Sequence, residues 1–104
     1  MTYRAIFDVK EASTPFSATF SFAIDLAIGE TLSSASVTAA VYSGTDPTPS
    51  AIISGAASIS GGEVTQILID GVEGVIYLLV CLVGTSLGGT LTRTGYLAIA
   101  PATI

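Results

Sequence analysis

The amino-acid sequence predicts an all-β protein, an antiparallel β-sandwich of about seven or eight strands. Three observations carry this. Nearly every segment alternates with a period of two. Clusters of turn residues separate the segments. One run, Gly74-Val75-Ile76-Tyr77-Leu78-Leu79-Val80-Cys81-Leu82-Val83, is apolar on both alternating faces. A short apolar run bounded by Gly74 and Gly84 reads as a central strand covered on both sides. No stretch carries a helical stripe.

Taken in order, Tyr3 to Val9 alternates Tyr3, Ala5, Phe7 and Val9 against Arg4, Ile6 and Asp8, which predicts a first strand at a sheet edge. Lys10 to Pro15 is a polar turn, and Pro15 cannot donate to a ladder. From Phe16 to Ile28 the apolar residues Phe16, Ala18, Phe20, Phe22, Ile24, Leu26 and Ile28 alternate with small or polar ones. That pattern predicts one long strand with a single face in the core. Gly29-Glu30 is a turn. Leu32 to Tyr42 is a third strand, with Ala35, Val37, Ala39 and Val41 opposed to Ser36, Thr38, Ala40 and Tyr42. Ser43 to Ser50 is an exposed loop built from turn residues. Short strands are expected at Ala51–Ile53 and Ala56–Ser60, then a Gly61-Gly62 hairpin and a strand from Glu63 to Ile69. After the central strand, Gly84 to Gly89 is a loop and Thr90 to Ile99 is the last strand. Gly95 suggests a bulge there, and Pro101 ends it.

The central strand also carries a local signal. Asp70-Gly71-Val72-Glu73-Gly74 is a tight turn, and Tyr77 follows Gly74 by three residues. This is the spacing of a tyrosine corner, whose hydroxyl hydrogen-bonds back to the turn. Tyr77, Leu79, Cys81 and Val83 then face the core. Ile76, Leu78, Val80 and Leu82 face outward and need cover, from another protein chain or from a loop of this one such as Ser43–Ser50.

At 104 residues the chain fits one domain, residues 1–104, with no linker. Half the residues are hydrophobic and only 11% are charged, against about 25% in an average domain. The shortage of charge points to surface buried by partners. Net charge is −5, and only Arg4, Lys10 and Arg93 are positive, so no basic patch exists to neutralise phosphates and no nucleic-acid partner is expected. The central run is far too short to span a bilayer as a helix, so no membrane partner is expected either. The N-terminus lacks a signal-peptide pattern, and the product is expected to stay where it is made or to enter an assembly formed there.

Chemistry finds little footing. With no His, the usual general base, the Ser-His-Asp arrangement and the commonest metal ligand are missing. Cys81 is alone and mid-strand in an apolar run, which favours an inert core thiol over a nucleophile. Asp70 and Glu73 lack the spacing of a calcium loop. Neither Gly71–Gly74 nor Ser60–Gly62 is followed by the Lys-Ser/Thr of a phosphate loop. Asp25 and Glu30, read as paired glycosidase carboxylates, lack any Trp for sugar stacking and read better as solvated acids. The expectation is no enzyme, no cofactor, no metal and no catalytic residue.

Several segments in order resemble a family of small Ig-like virion proteins of tailed bacteriophages, described as fiber-tail adaptors. They are Phe22–Leu26, Gly29–Ser34, Val41–Pro47, Ile59–Val64, Gly71–Tyr77 and Gly89–Arg93, spanning about Ser17 to Ile99. Related sequences often carry Trp where Leu26 stands. They tend to place Thr at the outward positions where this chain has Leu78, Val80 and Leu82. The resemblance implies an Ig-like sandwich without enzymatic activity, an adaptor at the head–tail neck, the tail or the fibre attachment site. Its implied partners are connector, tail or fibre proteins and copies of itself, and its implied place is the virion, assembled in the host cytoplasm. The alternative is an Ig-like receptor- or carbohydrate-binding module, or a capsid decoration module. Such a module needs exposed aromatics, for which Tyr42 and Tyr96 are the candidates. The expected structural residues are Tyr77, Gly74 and Cys81, and the expected partner interface is Ile76, Leu78, Val80 and Leu82.

Overall fold

The computed structural model describes residues 4–7 and 10–100. Six strands form two antiparallel sheets of three, and a short seventh strand adds to one edge. The first sheet has the order β1-β7-β6-β3, from β1 (Arg4–Ile6), β3 (Leu32–Ser43), β6 (Ile76–Thr85) and β7 (Thr90–Ala98). The second has the order β2-β5-β4, from β2 (Phe16–Ser21), β4 (Ile53–Ser60) and β5 (Glu63–Leu68). β1 is parallel to β7, an isolated bridge from Lys10 to Ile99 runs in the same sense, and every other strand pairing is antiparallel. Tyr3, Asp8 and Val9 of the expected first strand, and Pro101, lie outside the described residues.

One buried cluster takes residues from both sheets. The first supplies Val37, Tyr77, Leu79, Cys81, Val83 and Leu97, and the second supplies Ala18, Phe20, Val64 and Leu68. Burying each large aliphatic or aromatic side chain contributes about 1.5–3 kcal/mol, and the alternation along β6 turns Tyr77, Leu79, Cys81 and Val83 inward within seven residues. Phe7 fills the space between β7 and β2. Its ring meets Phe16 and Phe20 edge-on at 6.1 and 5.4 Å. Gly95 makes room for it, because a Cβ there would lie 2.5 Å from the Phe7 ring. Gly95 therefore marks a close approach and not the expected bulge; the β6–β7 ladder runs through it in unbroken register.

Two other expectations are corrected. The alternation from Phe16 to Ile28 does not make one strand. β2 ends at Ser21, and Ala23–Asp25 is a 3₁₀ turn. Phe22 is still buried, whereas Ile24 and Ile28 are fully solvent-facing and Leu26 is half-buried. The chain must turn here to reach the other sheet, and apolar period alone does not show where pairing partners run out. Likewise Ala51–Ile53 is not a separate strand. Pro49–Ile52 forms a 3₁₀ turn, its first position preset by Pro49, and a single strand β4 then runs from Ile53 to Ser60, with a shift of register between Ser54 and Ser58.

Candidate functional site

β6 is hydrogen-bonded on both sides, to β3 and to β7, so its two faces are fixed by register. Tyr77, Leu79, Cys81 and Val83 are buried. Ile76, Leu78 and Val80 are half-buried on the other face, and Leu82 is 46% exposed. The sequence thus brings Ile76, Leu78, Val80 and Leu82 into one outward row. Ala40 and Tyr96 flank Leu78, Thr38 and Thr94 flank Val80, and Ser36 and Thr92 flank Leu82. Apart from Tyr96 these flanks are small or hydroxylic. At one end Tyr42 and Tyr96 bring their rings to 4.6 Å, from strands that lie on opposite sides of β6. The two rings lean together across β6 beside Ile76 and Leu78. They pack against each other on the sheet face, and they are not gathered at a loop cluster as a sugar- or receptor-binding module would need. Near the other end, Ser34, Ser36, Leu82, Gly84 and Thr90 line a shallow pocket of about 240 Å³.

Beneath the Tyr42 end of this face lies a buried corner. Gly74 sits at a φ of +82°, where a side chain would be strained, and its N–H donates to Ile99 O at 3.0 Å. The Tyr77 hydroxyl reaches back to the turn, where it accepts a hydrogen bond from Val72 N–H at 3.0 Å. It donates across the chain to Asp46 Oδ2 at 2.6 Å. Asp46 in turn accepts from Thr48 N–H at 2.9 Å. The Tyr77 hydroxyl, then the Thr48 N–H, hold the Asp46 carboxyl below its ordinary pKa. Burial, reinforced by the carboxylate, pushes the Tyr77 phenol up. Lys10 is buried beside this turn and donates Nζ to the carbonyls of Asp70, Ala12 and Glu11 at 2.6, 2.9 and 2.8 Å. Burial lowers its pKa, and Asp70 partly offsets that.

Sequence reasoning found Tyr77 and Gly74 but missed Asp46 and Lys10. Asp46 is 31 residues from Tyr77, and Lys10 is 60 from Asp70. Nothing local links either pair. Gln66 was missed for the same reason. It is buried in β5 and donates to the carbonyls of Ser54, Gly55 and Ile67. Cys81 lies apart from the corner, fully buried, with burial pushing its thiol up to about 11. Asp25 and Glu30 are not a carboxylate pair. Asp25 is ion-paired with Arg93, whose guanidinium lies over the Phe22 ring, while Glu30 accepts Ala27 N–H at 2.9 Å. Among the described residues no three His, Cys, Asp or Glu side chains gather as metal ligands would, and no helix is long and apolar enough to cross a membrane.

Fold and site together define a small all-β module whose polar groups lock its turns and whose outward sheet face carries an aliphatic row. A family model described as the podophage GP4 fiber-tail adaptor protein gp77 matches residues 10–98. The chain belongs to that family, structural adaptor proteins of the phage tail. No curated protein and no solved structure matches the chain.

Proposed function

We propose that the chain is an Ig-like β-sandwich that works without enzymatic activity as an adaptor at the neck, tail or fibre attachment site. It presents the outward face of β6 to neighbouring virion proteins and associates with copies of itself. The single observation that carries the contact face is the row Ile76, Leu78, Val80 and Leu82, aliphatic on a fully paired central strand and flanked by small or hydroxylic residues and the Tyr42–Tyr96 pair. A row like this is unfavourable for a molecule that stays alone in water.

The strand order supports the Ig-like reading. In an immunoglobulin-type sandwich, strands B, E and D share one sheet and C, F and G the other. β2, β5 and β4 fall in the order B-E-D, and β3, β6 and β7 in the order C-F-G. Tyr77 then sits at the start of strand F, where a tyrosine corner belongs, with its hydroxyl on backbone upstream.

The test is a double substitution, Leu78→Thr with Val80→Lys, in both the isolated chain and the phage. The isolated fold is expected to keep its denaturation midpoint, because neither side chain belongs to the inward set, while incorporation into particles falls. An isolated variant that unfolds would place this face in the internal core. Normal incorporation of a folded variant would remove the face from the adaptor contact.

A further inference from the structure

We infer that two copies of this chain pair edge to edge along β3, antiparallel about Thr38, and extend the first sheet across both. This rests on the reading that copies associate, and it names the surface and geometry. The two sheets have four edges, β1 and β3 in one and β2 and β4 in the other. An open edge presents unpaired N–H and C=O groups, so proteins that stay monomeric blunt their edges.

Three of the four are blunted. β1 has only three residues. β2 has six; Phe7 packs against its Phe16 and Phe20, and Pro15 precedes it. β4 is broken in register between Ser54 and Ser58, with Gly55 at a φ of +71°, and buried Gln66 takes up the carbonyls of Ser54 and Gly55.

β3 has none of these devices along its middle. It is 12 residues long, and from Ser34 to Val41 its register against β6 is continuous, with irregularities only beyond those ends. The segment contains no Pro and no charge. Among the described residues no strand pairs with its other side; β4 of the second sheet and the Pro49–Ile52 turn lie close to β3 without joining its ladder.

The absence of charge also selects the occupant. A chain with net charge −5 meets its own copy favourably only where no acids are brought together, and Ser34–Val41 carries none. A charged partner strand would find no complementary charge here. Opposed residues of an antiparallel pair share a face, so a two-fold axis must pass through a residue position. Placed at Thr38, it opposes Thr38 to Thr38 and Ser36 to Ala40 on the outward face. On the inward face it opposes Val37 to Ala39 and Ala35 to Val41. All of these are small or β-branched, and the Thr pair is favourable.

The test uses the full chain with Cys81 left in place, since that thiol is buried. Thr38→Cys is expected to give a disulfide-linked dimer on mild oxidation, several-fold faster than Ser58→Cys on the blunted β4 edge, whereas the unsubstituted chain gives none. Thr38→Lys opposes two ammonium groups and is expected to weaken concentration-dependent dimerisation about fivefold or more in sedimentation, with an unchanged thermal midpoint at low concentration. Equal cross-linking at positions 38 and 58 would overturn the edge pairing. So would a dimer that survives Thr38→Lys but is dissolved by Leu82→Ser, which would put self-contact on the outward face and leave the adaptor reading intact. A chain that is monomeric throughout and does not cross-link at position 38 would overturn self-association itself, while particle incorporation of the Leu78→Thr, Val80→Lys variant would still judge the adaptor face.

Discussion

The two ends of the molecule solve the same problem in opposite ways. At one end, the turn before β6 is held by side chains that reach in from far along the chain. Tyr77 ties it to the Asp46 loop, and Lys10 clamps three carbonyls around it. At the other end, the β2–β3 and β6–β7 loops are laced together at the surface. Ser86 N–H donates to Thr31 O at 2.8 Å, and Thr31 N–H donates to Ser86 Oγ at 3.0 Å. The Thr85 hydroxyl accepts Gly89 N–H and also helps hold the Glu30 carboxyl below its ordinary pKa. This end keeps Ile24, Ile28 and Leu87 out in solvent. The first end spends buried polar groups on rigidity, and the second achieves order with local hydrogen bonds. The contrast predicts that stability is concentrated at the Tyr77 corner.

The largest effect is expected at Lys10. Lys10→Met leaves the carbonyls of Asp70, Ala12 and Glu11 without their donor in a buried site. The cost is expected to be about 2–4 kcal/mol, read from urea denaturation. A loss below about 0.5 kcal/mol would mean that water replaces the ammonium freely and that the corner is not a buried clamp.

Tyr77→Phe comes next, with an expected cost of about 1–2 kcal/mol, since both Asp46 and Val72 lose a partner. A double-mutant cycle sharpens it. Tyr77→Phe combined with Asp46→Asn should cost less than the sum of the two single changes, because the second substitution removes a bond already broken. Strict additivity would mean that the hydroxyl and carboxylate are not coupled.

The same corner, together with the Cys81 thiol apart from it, gives a pH dependence. Tyr77 has its pKa raised above the ordinary 10.0, and Cys81 is raised from 9.0 to about 11. In the unfolded chain both groups ionise at their ordinary values, while the fold holds their protons. The Cys81 contribution is therefore complete below pH 9 and is lost as pH rises through about 9 to 11, while that of Tyr77 is complete below 10.0 and is lost as pH rises through its raised value. Tyr77→Phe removes one of the two groups, so its stability should fall less steeply above pH 10.0 than the unsubstituted chain's. Asp46 acts at the other limit. Its lowered pKa gives a contribution present above 3.8 and lost as pH falls below that value.

The contrast also marks where the sequence was legible. β6 and β3 could be read residue by residue, because a period of two determines a strand's faces once both neighbours pair with it. Tyr77 and Gly74 were legible because a corner is a local motif. Lys10, Asp46 and Gln66 were not, because the groups that give them meaning come from other strands. The stretch Phe22–Ile28 misled for a related reason. Its apolar alternation is as clean as that of β2, yet only Phe22 and, in part, Leu26 find the core. Periodicity records which residues could share a face, while the end of a strand is decided by where its partner ends. β5 begins at Glu63, opposite Ser21, and leaves nothing for Ile24 or Ile28 to pair with.

That reading yields the smallest expected effect. If Ile24, Ile28 and Leu87 play no part in the core, then replacing each with Ser changes little that folding had buried. Ile28 keeps its full unfolded-like exposure, and Ile24 and Leu87 are at 89% and 70%. The hydrophobic contribution scales with area removed from water, which for Ile28 is none. Each substitution should therefore move stability by no more than about 0.5 kcal/mol in urea denaturation, the ordinary range for surface sites. The hydrogen bonds that order these loops come from Thr31, Ser86, Glu30 and Thr85, and serine at positions 24, 28 and 87 leaves all of them in place. A loss above about 1.5 kcal/mol at Ile28 would show that the β2–β3 loop folds back over the apolar core in solution. In that case the two ends would be anchored alike, and the alternation from Phe16 to Ile28 would have described one buried face after all.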